Sequence, residues 1–449
     1  MPPNILLIMA DQLRADALGP ATPALNRLAR EGVRFTQAIT NSPECIPARF
    51  ALATGLYPHQ TGIWRNGPIT LSPEAPTWMR ALVQLGYRTS LIGKSHFHES
   101  AHATNDLRDG IALMNAYGLM EVDEIAGPRA SQHVLSNMTA QWHEAGLMQR
   151  YCEDLADRIA HRPTTVRASP LGYDAYYDTY VGRAAVDYLT HVDAGAPWFC
   201  WVSFAGPHEP WDTPEPFDTL FDPADMPACI PKPADAAQRK GLLSLLYGTV
   251  HEPGLTPAEA ALLRANYAGN VALIDQQVGD ILGTIRERCM WDNTLILFTS
   301  DHGELNGDHG LVYKNNFLSA SVDIPLIIRP PAGSHRESDA LIELIDIGTT
   351  ILDYAGGFTP RGASLRPLLE GTATAHRSFV TSEYRHHTMI ADARWKVEFG
   401  PDGSAVLLFD RQQDPTESHN LADSVVAPGH LRAHWHALLE RTGERVKIT

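Results

Sequence analysis

Five short apolar runs set the tightest limit on how this chain can fold. They are Asn4 to Met9, Tyr87 to Ile92, Trp198 to Phe204, Thr294 to Ser300 and Asp323 to Arg329. An unbroken apolar run of this length marks a strand covered on both faces, as in a parallel sheet packed between helices. Helical patterns lie between the runs. Thr22 caps one, with Pro23 at its first position and Gly32 closing it; Pro76 to Leu85, Tyr177 to Leu189 and Glu343 to Ala355 are others. Thr256-Pro257 opens a long helical pattern that runs to about Arg288. Strand and helix signals alternating in this way predict an α/β body, and 449 residues are enough for a large core.

Four of the runs stop at a polar cluster, and open α/β sheets gather their ligands at the carboxyl ends of strands. The clusters are Asp11-Gln12, Gly93-Lys94-Ser95-His96, Gly206-Pro207-His208-Glu209 and Asp301-His302-Gly303-Glu304. Carboxylate, amide and imidazole groups from two strands can bind one divalent cation. Oxygen-rich ligation suits Ca²⁺ or Mg²⁺, and an imidazole moves the balance toward Mn²⁺ or Zn²⁺. Lys94 and His96 at one strand end form an oxyanion clamp and proton relay. His208, held between two prolines, has the restrained orientation that suits a proton donor. The residues alone leave duller uses open. Asp11 can cap the next helix, His208 can order its own loop, and Lys314 can be a solvated lysine.

Cys45-Ile46-Pro47-Ala48-Arg49 predicts a helix starting near Pro47. The helix dipole and Arg49 both favour an anionic oxygen or sulfur at position 45. A buried, inert cysteine is the other reading. Asn66, before Gly67, reads either as a turn residue or as a contact for a bound anion.

With 36 basic and 52 acidic side chains the net charge is −16, which speaks against a nucleic-acid partner. Five scattered cysteines without a C-x-x-C pair fit a reducing compartment. The first residues carry no basic leader and too few apolar residues to span a membrane, so the expected location is cytoplasmic. Residues 99–170 show no sustained period and read as an insertion over the active-site face that sets substrate choice. Its histidines (His102, His133, His143 and His161, with His98 just before) read as solvated. From about Ala375 the pattern changes to short strands. These are Ser378 to Glu383, Thr388 to Phe399 and Ala405 to Phe409, followed by a helix from about Gly429 to Arg441.

Cys45-x-Pro47-x-Arg49 resembles the signature of the sulfatase family, whose cysteine is oxidised by a maturation enzyme to formylglycine. Thr54-Gly55-x-x-Pro58 through Gly62, Gly93-Lys94-x-His96, Pro207-His208-x-Pro210 and Asp301-His302-Gly303-Glu304 resemble further family motifs. So does Leu408-Phe409-Asp410 through Asp414-Pro415-x-Glu417 and Asn420-Leu421. The likeness runs from Asn4 to about Leu421. It implies an alkaline-phosphatase-like fold: a large mixed, mostly parallel sheet sandwiched by helices, then a small C-terminal antiparallel sheet plus helix. The implied division is a catalytic domain over 1–374 and a subdomain over 375–449. Asp11-Gln12 and Asp301-His302 are most similar to choline-sulfatase-like and phosphonate-monoester-hydrolase-like branches.

The resemblance implies hydrolysis of a small-molecule or saccharide sulfate monoester. Its metal set is Asp11, Gln12, Cys45, Asp301 and His302. Ca²⁺ is the usual ion, and His302 leaves Mn²⁺, Mg²⁺ and Zn²⁺ open. The catalytic set is Cys45, Arg49, Lys94, His96, His208 and Lys314, with Lys94, His208, Lys314 and Asn66 binding substrate. The alternative is a phosphonate monoester or phosphodiester hydrolase on the same site. A maturation enzyme is the implied protein partner, and a homo-oligomer is compatible with the sequence.

Overall fold

β1 (Asn4–Asp11) runs through the middle of the main sheet, and both faces of the strand are buried. Leu6, Ile8 and Ala10 enter one apolar cluster with the Tyr177–His191 and Pro257–Glu287 helices. Ile5, Leu7 and Met9 enter a second with the Cys45–Thr54, Trp78–Gln84 and Asp346–Tyr354 helices. Side chains alternate across a strand, so two covered faces demand an unbroken apolar run. The protein is described here from a computed structural model covering residues 2–440, apart from 100–105, 163, 236–237 and 360.

Nine strands among the described residues form the main sheet. They are β1, β2 (Val33–Ile39), β3 (Arg88–Gly93), β4 (Glu121–Glu124), β5 (Trp198–Pro207), β6 (Thr294–Ser300), β7 (Asp323–Arg329), β8 (Arg336–Ser338) and β9 (Ile342–Glu343). The spatial order is β4-β3-β5-β1-β6-β7-β2-β8, with β9 also beside β2. All neighbours are parallel except β7, which runs antiparallel to β6 and β2. The sheet is thus mixed and mostly parallel, with helices on both faces.

β10 (Val380–Tyr384), β11 (His387–Ala391), β12 (Trp395–Phe399) and β13 (Ala405–Asp410) form a four-stranded antiparallel sheet. Val380, Tyr384, Met389 and Ala391 pack on Ile39, Phe317 and Leu341 of the body. Ile390, Val397, Phe399 and Leu408 face Leu431 and Trp435 of the C-terminal helix Gly429–Glu440.

Four local expectations differ from the structure. The helix expected near Pro47 begins at Cys45, so the thiol sits in its first turn. The expected strand from Thr388 to Phe399 is two strands, because Asp392 Oδ1 accepts the N–H groups of Arg394 (2.8 Å) and Trp395 (2.6 Å) and closes a turn. The helix expected from Glu343 starts at Asp346, and Ile342–Glu343 extends the sheet instead. Residues 99–170 are not irregular throughout: Glu121–Glu124 adds an edge strand to β3, and helices span Asn137–Glu144 and Met148–His161. A four-residue edge strand with a single buried residue carries no apolar run, so its sequence gave no signal. His133, His143 and His161 are exposed as expected, whereas His98 is partly buried with Nε2 2.8 Å from Glu124 Oε2. His102 lies outside the described residues.

Candidate active site

β3, β5, β1 and β6 are parallel neighbours, so their carboxyl ends meet at one rim. The register of β1 on β5 shifts between Ala10 and Asp11, where the sheet opens. Gly93 is required at the end of β3. Its φ is +108°, and a Cβ there would run into the Ser203 carbonyl of β5.

Asp11, Cys45, Asp301 and His302 converge, all buried, and each offers a donor atom within 4.8 Å of the others. Cys45 Sγ lies 3.0 Å from His302 Nε2 and 3.7 Å from Asp11 Oδ1. His302 Nδ1–H donates to the Gly303 carbonyl at 3.0 Å, which turns the Nε2 lone pair toward the cluster. Burial pushes the His302 pKa down, so this lone pair stays available.

Two buried carboxylates side by side repel, and Arg49 answers both. Its Nε donates to Asp301 Oδ2 (2.8 Å) and its Nη2 to Asp11 Oδ2 (3.1 Å). Nη1 donates to the Lys94 carbonyl (2.6 Å) and Ser203 Oγ (3.0 Å), so the whole guanidinium is used. Lys94 Nζ pairs with Asp11. Burial works to raise the Asp11 pKa, but Lys94, His208 and Arg49 together hold it well below the carboxylate range. For Asp301, burial and the Asp11 charge oppose ionisation, and His302 and Arg49 overcome them.

His96 is held at φ +59° with its Nδ1 buried and unpartnered. Burial first, then Lys94 and Arg49, push its pKa well below that of an ordinary histidine, so it is a neutral base. His208 Nδ1–H donates to the Glu209 carbonyl at 2.7 Å, which leaves Nε2 as its free edge. Lys314 Nζ bonds Gln12 Oε1; burial favours its neutral form, but Cys45, Glu209 and Asp11 keep it charged. Gln12 stands beside the four-residue cluster, with its Nε2 on Glu304 and on Glu209 Oε2 (3.3 Å). Asn66 lies further out. Its Oδ1 accepts the N–H of Ile46 at 2.8 Å and so caps the helix that carries Cys45.

Three acidic or basic groups in this region went unassigned from sequence. Glu209 is held down to about 2: burial alone would raise it, but His208, Arg129 and Lys314 prevail. Glu304 is pushed up to about 7, by burial first and then by Glu209. Both stand inside the quoted motifs, one residue past His208 and two past His302, and that adjacency was the available signal. Arg129, 3.0 Å from Glu209, comes from the segment after β4, where no local pattern marks it.

The Sulfatase family model matches residues 3–357, and the model described as N-sulphoglucosamine sulphohydrolase, C-terminal, matches residues 307–442. An arylsulfatase of Clostridium perfringens is 28% identical, over 94% of this chain and 91% of that protein. A choline-sulfatase of Rhizobium meliloti is 28% identical, over 95% and 83% respectively. The crystal structure of a phosphonate monoester hydrolase of Agrobacterium radiobacter superposes with a TM-score of 0.79 at 26% identity, covering 99% of this chain and 96% of that one. No helix among the described residues is long and apolar enough to cross a membrane.

Proposed function

The chain belongs to the sulfatase family of sulfuric ester hydrolases, and from that premise we propose that it cleaves a sulfate monoester through a formylglycine hydrate at position 45 beside one divalent cation. The observation that carries this reading is the packing of Cys45 Sγ against His302 Nε2, Asp11 and Asp301, ringed by Arg49, Lys94 and Lys314. Asp11, Asp301, His302 and an oxygen at residue 45, with Gln12 alongside, would hold the cation, which when bound supplies charge that acidifies a neighbouring hydroxyl and offsets the ester's oxygens. Two carboxylates and an amide favour Ca²⁺, and the imidazole keeps Mn²⁺, Mg²⁺ and Zn²⁺ open.

The residues then divide the work. A hydrate hydroxyl of residue 45, its proton already lost to solvent, attacks sulfur, and the bond from sulfur to the alcohol oxygen breaks in line. Lys94 and Lys314 hold the sulfate oxygens, while Arg49 keeps the two carboxylates and the helix end in place. His208 gives its Nε2 proton to the departing alcohol. His96, neutral, takes the proton of the second hydroxyl. The bond from residue 45 carbon to the sulfate oxygen breaks, sulfate leaves, and the aldehyde is restored for rehydration by water. A thiol at residue 45 would have no such second hydroxyl, so oxidation by a maturation enzyme belongs to this reading.

The likeness to a phosphonate monoester hydrolase favours one second reading, a phosphonate monoester or phosphodiester hydrolase on the same site. Gly93-Lys94-x-His96 speaks for sulfate. Turnover of an aryl sulfate, an aryl phosphonate monoester and a phosphodiester by one preparation separates the two. A kcat/KM highest on the sulfate supports the first reading, and one highest on either phosphorus ester replaces it.

A further inference from the structure

A recess of about 410 Å³ is walled by the loop of Ile63, Trp64 and Arg65, by Ile69, and by the turn Arg385-His386 between β10 and β11. Its size suits one substituted ring. Hydrogen bonds tie each wall to the segments that carry the catalytic residues, and Glu44, next to Cys45, bonds both Asn66 N–H and Asn315 Nδ2. On one side Arg65 adjoins Asn66, whose Oδ1 accepts the N–H of Ile46, next to Cys45. On the other Arg385 adjoins Tyr384, whose OH is 3.0 Å from Asn315 Nδ2, next to Lys314. The two walls also join each other, since Arg385 N–H donates to the Trp64 carbonyl (3.3 Å).

The chemistry of the recess is specific. Trp64 and His386 lie with ring centroids 4.5 Å apart, an aromatic floor with an apolar flank in Ile63 and Ile69. Arg65 and Arg385 are exposed, and neither has a salt-bridge partner among the described residues. Arg385, which lines the recess, rests 5.5 Å from the centroid of the Tyr384 ring. Two guanidiniums without a carboxylate partner, lining a recess with an aromatic floor, match a ring that carries its own anion.

We infer that the alcohol released by this enzyme is ring-bearing and carries a second anionic group, a carboxylate or a further sulfate, which Arg65 and Arg385 hold while the ring lies on Trp64. This rests on the sulfate-ester reading and adds the substrate class. The turn at Arg385-His386 thereby gives the small C-terminal sheet a share in substrate choice.

The test compares kcat/KM within two pairs: phenyl sulfate against 4-carboxyphenyl sulfate, and a glucose sulfate against a glucuronate sulfate. In at least one pair the substrate with the second anion is expected to be better by about tenfold or more, as two charge-assisted hydrogen bonds would give. The pair that shows the preference identifies the ring as aryl or sugar. Arg65→Gln with Arg385→Gln should collapse that ratio through KM. Arg65→Lys should keep most of it, and added salt should erode it. Equal kcat/KM within both pairs, or a ratio untouched by the double variant, overturns the inference and leaves the sulfatase reading standing. If none of the four esters is hydrolysed but phosphorus esters are, the underlying reading fails first.

Discussion

Arg49 is the residue whose loss the site can least absorb. It is fully buried and touches both Asp11 and Asp301, so Arg49→Ala leaves two carboxylates facing each other without water. Breaking such a buried pair costs about 3–5 kcal/mol, and urea unfolding of Arg49→Ala should show a loss of that order along with the loss of turnover. His96 makes a kinetic prediction. Its pKa lies below that of a free histidine, so the base form persists as pH falls and is lost only once pH reaches the lowered value. The acid limb of kcat, measured where breakdown of the sulfated residue 45 limits turnover, should therefore contain no His96 step near the ordinary histidine pKa of about 6.5. His96→Ala should release one equivalent of alcohol in a burst and then stall, with steady-state turnover down by about 10²–10⁴. A slow linear release with no burst would remove His96 from the second step. Asp11, Asp301 and His302 were legible because each follows an apolar run, and Cys45 because it opens a helix beside Pro47 and Arg49; the four come together. Arg129 was not legible, because its partner Glu209 is distant in sequence and only folding pairs them.

The end of β5, which presents His208, is held from behind by a buried acid. Asp178 Oδ1 accepts the N–H groups of Ala205 (3.0 Å) and Gly206 (2.9 Å). Asp178 Oδ2 and Asn270 Oδ1 both lie without partners where a Gly206 Cβ would project. Burial pushes the Asp178 pKa up to about 7 from an unfolded value of 3.8. The folded state then keeps this proton through a range in which the unfolded chain releases it. Its contribution is complete below about pH 4 and is lost as pH rises to about 7, on the order of 4 kcal/mol. Asp178→Asn keeps the acceptor and places a donor toward Asn270. The variant's urea midpoint should fall less than the wild type's between about pH 5 and pH 8; equal slopes would show that Asp178 is ionised throughout. Elements were legible in proportion to their burial. β1, β5 and β6, covered on both faces, announce themselves as apolar runs, and the Pro257–Glu287 helix does so through Thr256-Pro257 at its start and its apolar spacing. β4 at the edge and the Asp392 turn were hidden, since both depend on tertiary pairing rather than on a local pattern.

Across the whole molecule, the site ties both apolar clusters and the C-terminal sheet to one rim. Asp11 comes from the central strand, Cys45 from a helix on one face, and Lys314 from the segment leading to β7. A cation held there links these parts. Chelation should lower Tm, by an amount matching about 3 kcal/mol if the ion had been at a hundredfold excess over its Kd, and re-addition should restore it. Among ions added back, the one giving the largest restoration identifies the resident metal; no change in Tm would argue that the carboxylate pair is held by Arg49 and Lys94 alone. The reaction itself turns on one group, the oxidised carbon of residue 45. Mass spectrometry of the peptide spanning Cys45, taken from enzyme active on a sulfate ester, should find an aldehyde or its hydrate at residue 45 in proportion to activity. Fully active enzyme carrying an intact thiol there would rule the formylglycine mechanism out.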